Sequence, residues 1–422
     1  MKLTILVFLT LFLFTYKIAV AQDYWQRINT PDSLHLSDVL VDEQGSIYIS
    51  SWDNFSKGGI YRSDDNGATW TKKNNGFIYT TSSIISLGQD DEGTLYAGGQ
   101  SVIYKSLNGG DSWTLVYQAQ PYAANMWKIQ CGYDSVILVG GEDYDGIIRS
   151  GDNGLTWQKV IEFIHDGWYE NITDIQFGPN GVIYASTRIT WANDPGMVYA
   201  SYDQGRTWQV FSEAGYPTAL GFDNQGRLLR GEFGLGLYRY DFTTSNWEHI
   251  LYNGSSPRSI LTVPDGKIFL ACGYYPSYLG GVMLSANGGT TFDFINSGFG
   301  LSDDATEFSV DKSGRILVLN GYLFRSYDTI FNRIHNLAKN DFQITAYPNP
   351  FHLSLSIKLN RNNTNGANNI LFVYNTSGQI IQQTNIGNQP EYHWDGSAFP
   401  AGLYFIKISN GKSTSTMKVL HY

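Results

Sequence analysis

Helical periodicity is largely missing from this 422-residue sequence: no stretch sustains apolar residues at a 3.6-residue spacing. Charge is also sparse, at 16% of residues, and the formal net charge is −10. Lys2 and Lys17 lie in the N-terminal leader, so the remainder is more acidic still, and nothing resembles a basic face. Nucleic acid is thereby excluded as a partner, whereas basic or neutral partners stay open. There are two cysteines, Cys131 in "WKIQC" and Cys272 in "KIFLAC", and both read as separate buried thiols rather than a bridge. No apolar run is long enough to span a bilayer. "LTILVFLTLFLF" (3–14) follows Met1-Lys2 and precedes the small residues "AVA" (19–21), which reads as an export signal covering residues 1–21. No cysteine stands at the expected cleavage point for a lipid anchor. H-E-x-x-H, G-x-S-x-G, P-loop and Cys/His metal spacings are all absent, and the seven histidines are scattered, so no metal or cofactor is called for.

Glycine (45 residues) and aromatics (15%, with 29 Tyr) are plentiful, a balance that favours short strands joined by tight turns. The phrase "YRSDDNGATW" (61–70) recurs as "YKSLNGGDSW" at 104, "IRSGDNGLTW" at 148, "YASYDQGRTW" at 199 and "MLSANGGTTF" at 283. Degenerate copies, "YRYDFTTSNW" (238–247) and "FRSYDTIF" (324–331), fill the gaps. The 263 residues from Ser63 to Ser326 thus span six intervals of about 44, the length of a propeller blade. A second phrase of the type "DEQGSIYIS" keeps step with the first, again seven times. Each unit reads as four antiparallel strands; in the second they are "SIISLGQ", "TLYAGG", "SVIYKS" and "WTLVYQ". The expected fold is all-β, a seven-bladed β-propeller. A solenoid would need atypical capping repeats, and none is evident.

Within the phrase, Asp and Ser accept hydrogen bonds from their own turn, Gly supplies a positive φ, and the aromatic residue buries against a neighbour. The expected structural residues are Ser63, Asp65, Gly67 and Trp70, then Ser106 and Trp113. They continue with Ser150, Asp152, Gly154 and Trp157, and with Ser201, Asp203, Gly205 and Trp208. S-x-D-x-G-x-T-W resembles the Asp-box, or bacterial neuraminidase repeat, of sialidases, xyloglucan-processing glycosidases, sortilin-type receptors and photosystem II assembly factors. That resemblance covers roughly residues 40 to 332 and implies the propeller while leaving activity open, because its families include enzymes and pure binders.

The repeat stops after "NLAKND". The propeller is expected over 22–340, closed by "YWQRIN" (24–29) or by "FNRIHN" (331–336), and a small Ig-like β-sandwich over 341–422. This tail resembles the C-terminal sorting domain of type IX secretion cargo in Bacteroidota. Tyr347, Pro348, Asn349, Pro350, Phe351, Gly378, Gly402, Tyr404 and Lys418 carry the match. The resemblance implies passage through the periplasm to the outer surface or the medium, with the type IX machinery as one partner.

The enzyme branches of the Asp-box group find little support. A sialidase would carry Arg-Ile-Pro near its start, where this chain has "WQRINTP" (25–31). The xyloglucan-processing enzymes place an Asp just before Gly-Gly-x-Tyr-Arg, and here Asp53 precedes "GGIYR" with residues inserted. A second carboxylate would come from Glu142, Asp143, Asp145, Asp194 or Glu232. The boxes and glycine turns are first and third connections of each unit, so they share one face. The unlike second and fourth connections should form the binding face. Its expected ligand-binding residues are Trp52, Asp53, Tyr144, Asp145, Trp168, Tyr169, Arg188, Trp191, Phe233, Tyr274 and Tyr275. Three readings compete: a non-catalytic binder of an extracellular glycan or protein, a glycoside hydrolase, and an envelope assembly factor.

Overall fold

The computed structural model describes residues 23–421 apart from 32–33, 54–56, 79–82, 120–124, 133, 142–145, 166–167, 180, 189–194, 274–279, 301–303, 330–341, 348–350, 362–368, 375–379, 388, 401 and 410–413. The regular elements among the described residues are strands. Seven antiparallel sheets of four strands follow one another along the chain. In the second blade the strands are Ile84–Gln89, Leu95–Gly99, Val102–Ser106 and Thr114–Gln118, paired in chain order. The first strands of the seven sheets begin at Leu36, Ile84, Met126, Asn171, Pro217, Pro257 and Ala305. Each touches the next, and the last touches the first, so the sheets close into a propeller ring.

The N-terminal strand completes the circle. Trp25–Ile28 runs antiparallel to Tyr322–Thr329, with Trp25 opposite Ser326 and Ile28 opposite Leu323, as the outermost strand of the seventh blade. Trp25 is buried there: its indole N–H donates to the Ile295 carbonyl at 2.6 Å, and its ring stacks on Phe299 at 5.2 Å. The competing segment 331–336 lies outside the described residues.

The hydrophobic core is divided among the seams between blades. Tyr48 and Ile60 of the first blade pack with Leu87, Leu95, Tyr104 and Trp113 of the second. Ile28, Leu317 and Leu323 of the last pack with Val39, Ile47 and Ile49 of the first. Second strands such as Ile47–Ser51 and Ile268–Cys272 are buried throughout, while fourth strands such as Thr71–Lys72 are exposed. This gradient explains why the middle strands read as continuous apolar runs. Each fully buried aliphatic side chain contributes about 1.5–3 kcal/mol, distributed around the ring. Cys131 and Cys272 are free thiols in the third and sixth blades.

Every first strand carries a β-bulge near its start, such as the shift between Leu36 and Asp38, or between Met126 and Lys128. The bulges re-aim side chains at the rim and the axis of the ring.

The tail contains two sheets. Phe342–Tyr347, Ser354–Arg361 and Glu391–Asp395 form one, and Asn369–Tyr374, Ile380–Gly387, Gly402–Ser409 and Thr414–His421 form the other. Leu355, Ile357 and Trp394 of the first sheet share one core with Leu371, Val373, Ile406 and Val419 of the second.

Candidate functional site

The boxes fold as closed local units. In the third blade, Ser150 Oγ donates to Asp152 Oδ1 at 2.8 Å and accepts the Gly154 N–H at 2.8 Å. Asp152 also accepts the Thr156 N–H at 2.9 Å and the Thr156 hydroxyl at 2.5 Å. The first and fourth boxes repeat this set around Asp65 and Asp203. Bonds from Thr156, then weaker contributions, hold the Asp152 carboxyl at about 2, and bonds from Thr69 do the same at Asp65; at Asp203 burial pushes the carboxyl up, but the bonds from Thr207 and Ser201 together outweigh it and hold it at about 2.

Each turn contains two successive left-handed residues: Asn153 (φ 54°) and Gly154 (φ 71°), or Gln204 (φ 63°) and Gly205 (φ 81°). A Cβ at Gly154 would lie 2.6 Å from Tyr96 of the preceding blade, so glycine there serves both the turn and the seam. The first left-handed residue turns its carbonyl toward that same preceding blade, where a cation just ahead of the neighbouring box donates to it. Arg62 Nη1 reaches the Gly109 carbonyl at 3.0 Å, Lys105 Nζ that of Asn153 at 2.5 Å, Arg149 Nε that of Gln204 at 2.8 Å, and Arg239 Nη1 that of Gly288 at 3.1 Å. The Tyr48 and Tyr96 hydroxyls donate to the Gly109 and Asn153 carbonyls from the same side. The box tryptophans vary: Trp113 is buried and donates to the Lys73 carbonyl, whereas Trp70, Trp157 and Trp208 are half-buried. The polar groups of this face are engaged in joining blade to blade.

At the opposite end, Trp52 and Asp53 follow the second strand of the first blade, and the structure joins them to a residue absent from the sequence-derived candidates, His35. Asp53 accepts the His35 N–H at 2.7 Å, His35 Nδ1 at 2.5 Å and the Ser51 hydroxyl at 2.7 Å. Burial pushes the Asp53 carboxyl up, but these bonds outweigh it and hold the group below the usual carboxylate range. The His35 and Trp52 rings lie 5.4 Å apart. Trp52 is 56% exposed and the His35 side chain 69% exposed. Trp127, in the first strand of the third blade, is also exposed.

The other candidates do not join this group. Arg188 ends the strand Ile183–Arg188 and is exposed. Trp168 and Tyr169 form a two-residue strand paired with Ile164–His165. Phe233 is half-buried, its N–H donating to the Tyr216 carbonyl. Glu232 is corrected from a loop acid to a buried strand residue: it ends Leu228–Glu232 and pairs at 2.5 Å with Arg230, whose guanidinium lies 4.1 Å from the centre of the Trp247 ring. Glu142, Asp143, Tyr144, Asp145, Trp191, Asp194, Tyr274 and Tyr275 lie outside the described residues.

A cluster that sequence reasoning missed lines the axis. Four first strands each bring one residue, at or just past the bulge, to the axis: Asp38, Lys128, Asp174 and Glu307. Lys128 Nζ lies 3.3 Å from Glu307 and 3.8 Å from Asp174, spanning the ring from the third blade to the seventh and fourth. Asp38 accepts the Leu87 N–H and Asp174 the Leu220 N–H, each tying its strand to the following blade. Burial and then the Glu307 charge push the Asp38 carboxyl up to about 7, and burial raises Asp174 as well. The arrangement is a polar staple across the channel; no group of three metal-ligating side chains occurs among the described residues.

In the tail, Phe351 is fully buried between Trp394 and His421, and Tyr347 is exposed with its hydroxyl on Glu391 at 2.7 Å. The segment 348–350 and Gly378 lie outside the described residues.

Comparison with known proteins agrees with both parts. Among curated proteins no sequence relative matches. PorZ, an essential surface component of the type IX secretion system of Porphyromonas gingivalis, is 13% identical with a TM-score of 0.55, over 96% of this chain and 60% of that one. This chain therefore spans less than two thirds of that protein. YCF48 from Cyanidioschyzon merolae is 14% identical, TM-score 0.53, over 72% of this chain and 98% of that one. The GH74 enzyme of Niastella koreensis is 16% identical, TM-score 0.53, over 94% and 74%. At these identities the likeness establishes the propeller fold alone. Residues 345–421 match the secretion system C-terminal sorting domain, and a chain bearing that domain is cargo of type IX secretion, delivered to the cell surface or released beyond it.

Proposed function

We propose that this protein is a non-catalytic binding protein whose propeller engages an extracellular glycan or protein through the face opposite the boxes. The observation that carries the reading is the contrast between the two faces. Box polar groups are engaged within turns and seams, while the opposite end presents exposed Trp52 beside fixed polar groups, and exposed Trp127. Loops on a rigid scaffold are the usual seat of recognition. Against hydrolysis, Asp53 is held by three donors and Glu232 is paired with buried Arg230, so neither described candidate is poised as a general acid. The sorting domain supplies delivery.

The test is a polysaccharide and envelope-protein panel probed with the full chain, followed by a reducing-sugar assay on every positive. Retention without release of reducing ends is expected. Release of sugar from any retained polysaccharide would replace this reading with a glycoside hydrolase.

A further inference from the structure

Trp52 is more exposed than Trp127, at 56% against 44%, and its surroundings indicate which kind of ligand it fits. Its backbone is pinned at both ends: the Trp52 N–H donates to the His35 carbonyl at 3.2 Å, and the Ser83 hydroxyl donates to the Trp52 carbonyl at 2.9 Å. The indole therefore stands on fixed backbone while more than half its surface faces solvent. Protein-binding tryptophans usually sit within an apolar patch sealed from water. Here the residue is 56% exposed instead, and the hydrogen-bonded groups His35, Ser51, Asp53 and Ser83 stand next to it. An exposed aromatic plate beside a directed polar group suits a pyranose ring, whose C–H face stacks while its hydroxyls seek hydrogen bonds.

The polar group facing solvent is the imidazole. Asp53 engages Nδ1, which fixes the tautomer and leaves Nε2 on the exposed side to bond a hydroxyl. The Asp53 side chain is only 13% exposed and already accepts three donors, so it is placed to act through His35 and not on a ligand. Its negative charge beneath the ring disfavours anionic sugars.

We infer that Trp52 and His35 form a subsite for one pyranose of a neutral glycan, with Asp53 as the positioning residue that orients the imidazole. This rests on the reading of the protein as a binder through this face, and narrows it to a sugar class and three residues.

Affinity electrophoresis of the full chain in gels containing dextran, galactomannan or mixed-linkage β-glucan, set against alginate and polygalacturonate, tests it. Retardation by a neutral polysaccharide and not by the acidic pair is expected. Trp52→Ala should weaken that retention at least tenfold and His35→Ala roughly as much, with unchanged melting, since both side chains are exposed. Asp53→Asn, whose remaining oxygen can still accept the His35 N–H and the Ser51 hydroxyl, should weaken binding severalfold alone and add nothing in the His35→Ala background, because what it changes is the bond to that ring. A structural role for Asp53 would instead weaken both backgrounds equally and lower the melting temperature. Neutral-glycan binding that survives Trp52→Ala overturns the subsite while sparing the general reading. Binding confined to acidic polysaccharides, or to an envelope protein, does the same. Retention by nothing in either panel overturns both.

Discussion

Asp152 and Asp38 are the same residue type in the same repeated unit, yet their surroundings pull them in opposite directions. Asp152 sits at the molecular surface, surrounded by donors from its own turn, and its carboxyl is held down at about 2. Asp38 lines the axis with Glu307 nearby, and its carboxyl is pushed up to about 7. The box uses charge locally, to close a turn that then locks onto the next blade. The axial staple uses charge globally, to tie blades that never pair through their strands. Stability in this ring therefore has two polar sources with opposite responses to pH, above an apolar contribution confined to the seams.

The seams should dominate. Trp113→Ala empties a buried site packed against Phe77 and orphans the Lys73 carbonyl, and is expected to cost about 3–5 kcal/mol in chemical denaturation. A loss below about 1 kcal/mol would mean that the box aromatics merely cover the surface. Next comes the staple. Lys128→Ala leaves Asp174 and Glu307 facing each other without a cation and should cost about 3 kcal/mol. Adding Glu307→Gln to that variant should restore part of the loss. If it restores nothing, the three side chains are not one unit and the contrast with the boxes fails.

The sequence disclosed the boxes because every role in them is local: Ser150, Asp152, Gly154 and Thr156 bond one another within seven residues, so the pattern survives as a phrase. It did not disclose the staple because each strand contributes a single residue and the identities differ: Asp38, Ser86, Lys128, Asp174, Ala219, Ser259 and Glu307. Aligning the repeats instead on their glycine turns, at Gly45, Gly93, Ser135, Gly181, Gly226, Gly266 and Gly314, and reading the residue seven positions earlier would have exposed that column. Glu232 was misplaced because "GEFGLG" resembles a turn. Arg230, two residues earlier and hence on the same side of a strand, was the overlooked signal. His35 escaped because it lies before the first repeat, where no phrase marks it.

The smallest effect should come from the substitution that the protein itself contains. In the second and sixth boxes the Asp is Asn108 or Asn287, and the local geometry is retained with one bond reversed: Asn108 Nδ2 donates to Ser112 Oγ at 2.9 Å, where Asp152 accepts from Thr156. Asp152→Asn should therefore be close to neutral at pH 7, whereas Asp152→Ala, which strands Ser150 and the Thr156 N–H, should cost about 1 kcal/mol. The pH response separates the two sources of polar stability. Asp152 ordinarily titrates near 3.8 and is lowered in the fold, so its contribution is present above about pH 4 and is lost as pH falls toward 2. Asp38 is raised from 3.8 to about 7, so its contribution is present below about pH 4 and is lost as pH rises through 7. Thermal melting across pH 2–8 should show Asp152→Asn flattening the acid limb and Asp38→Asn flattening the decline between about pH 4 and 7. If Asp152→Asn altered the neutral limb instead, the division between local and axial carboxylates would be wrong, because the box would then be sensing charge across the ring.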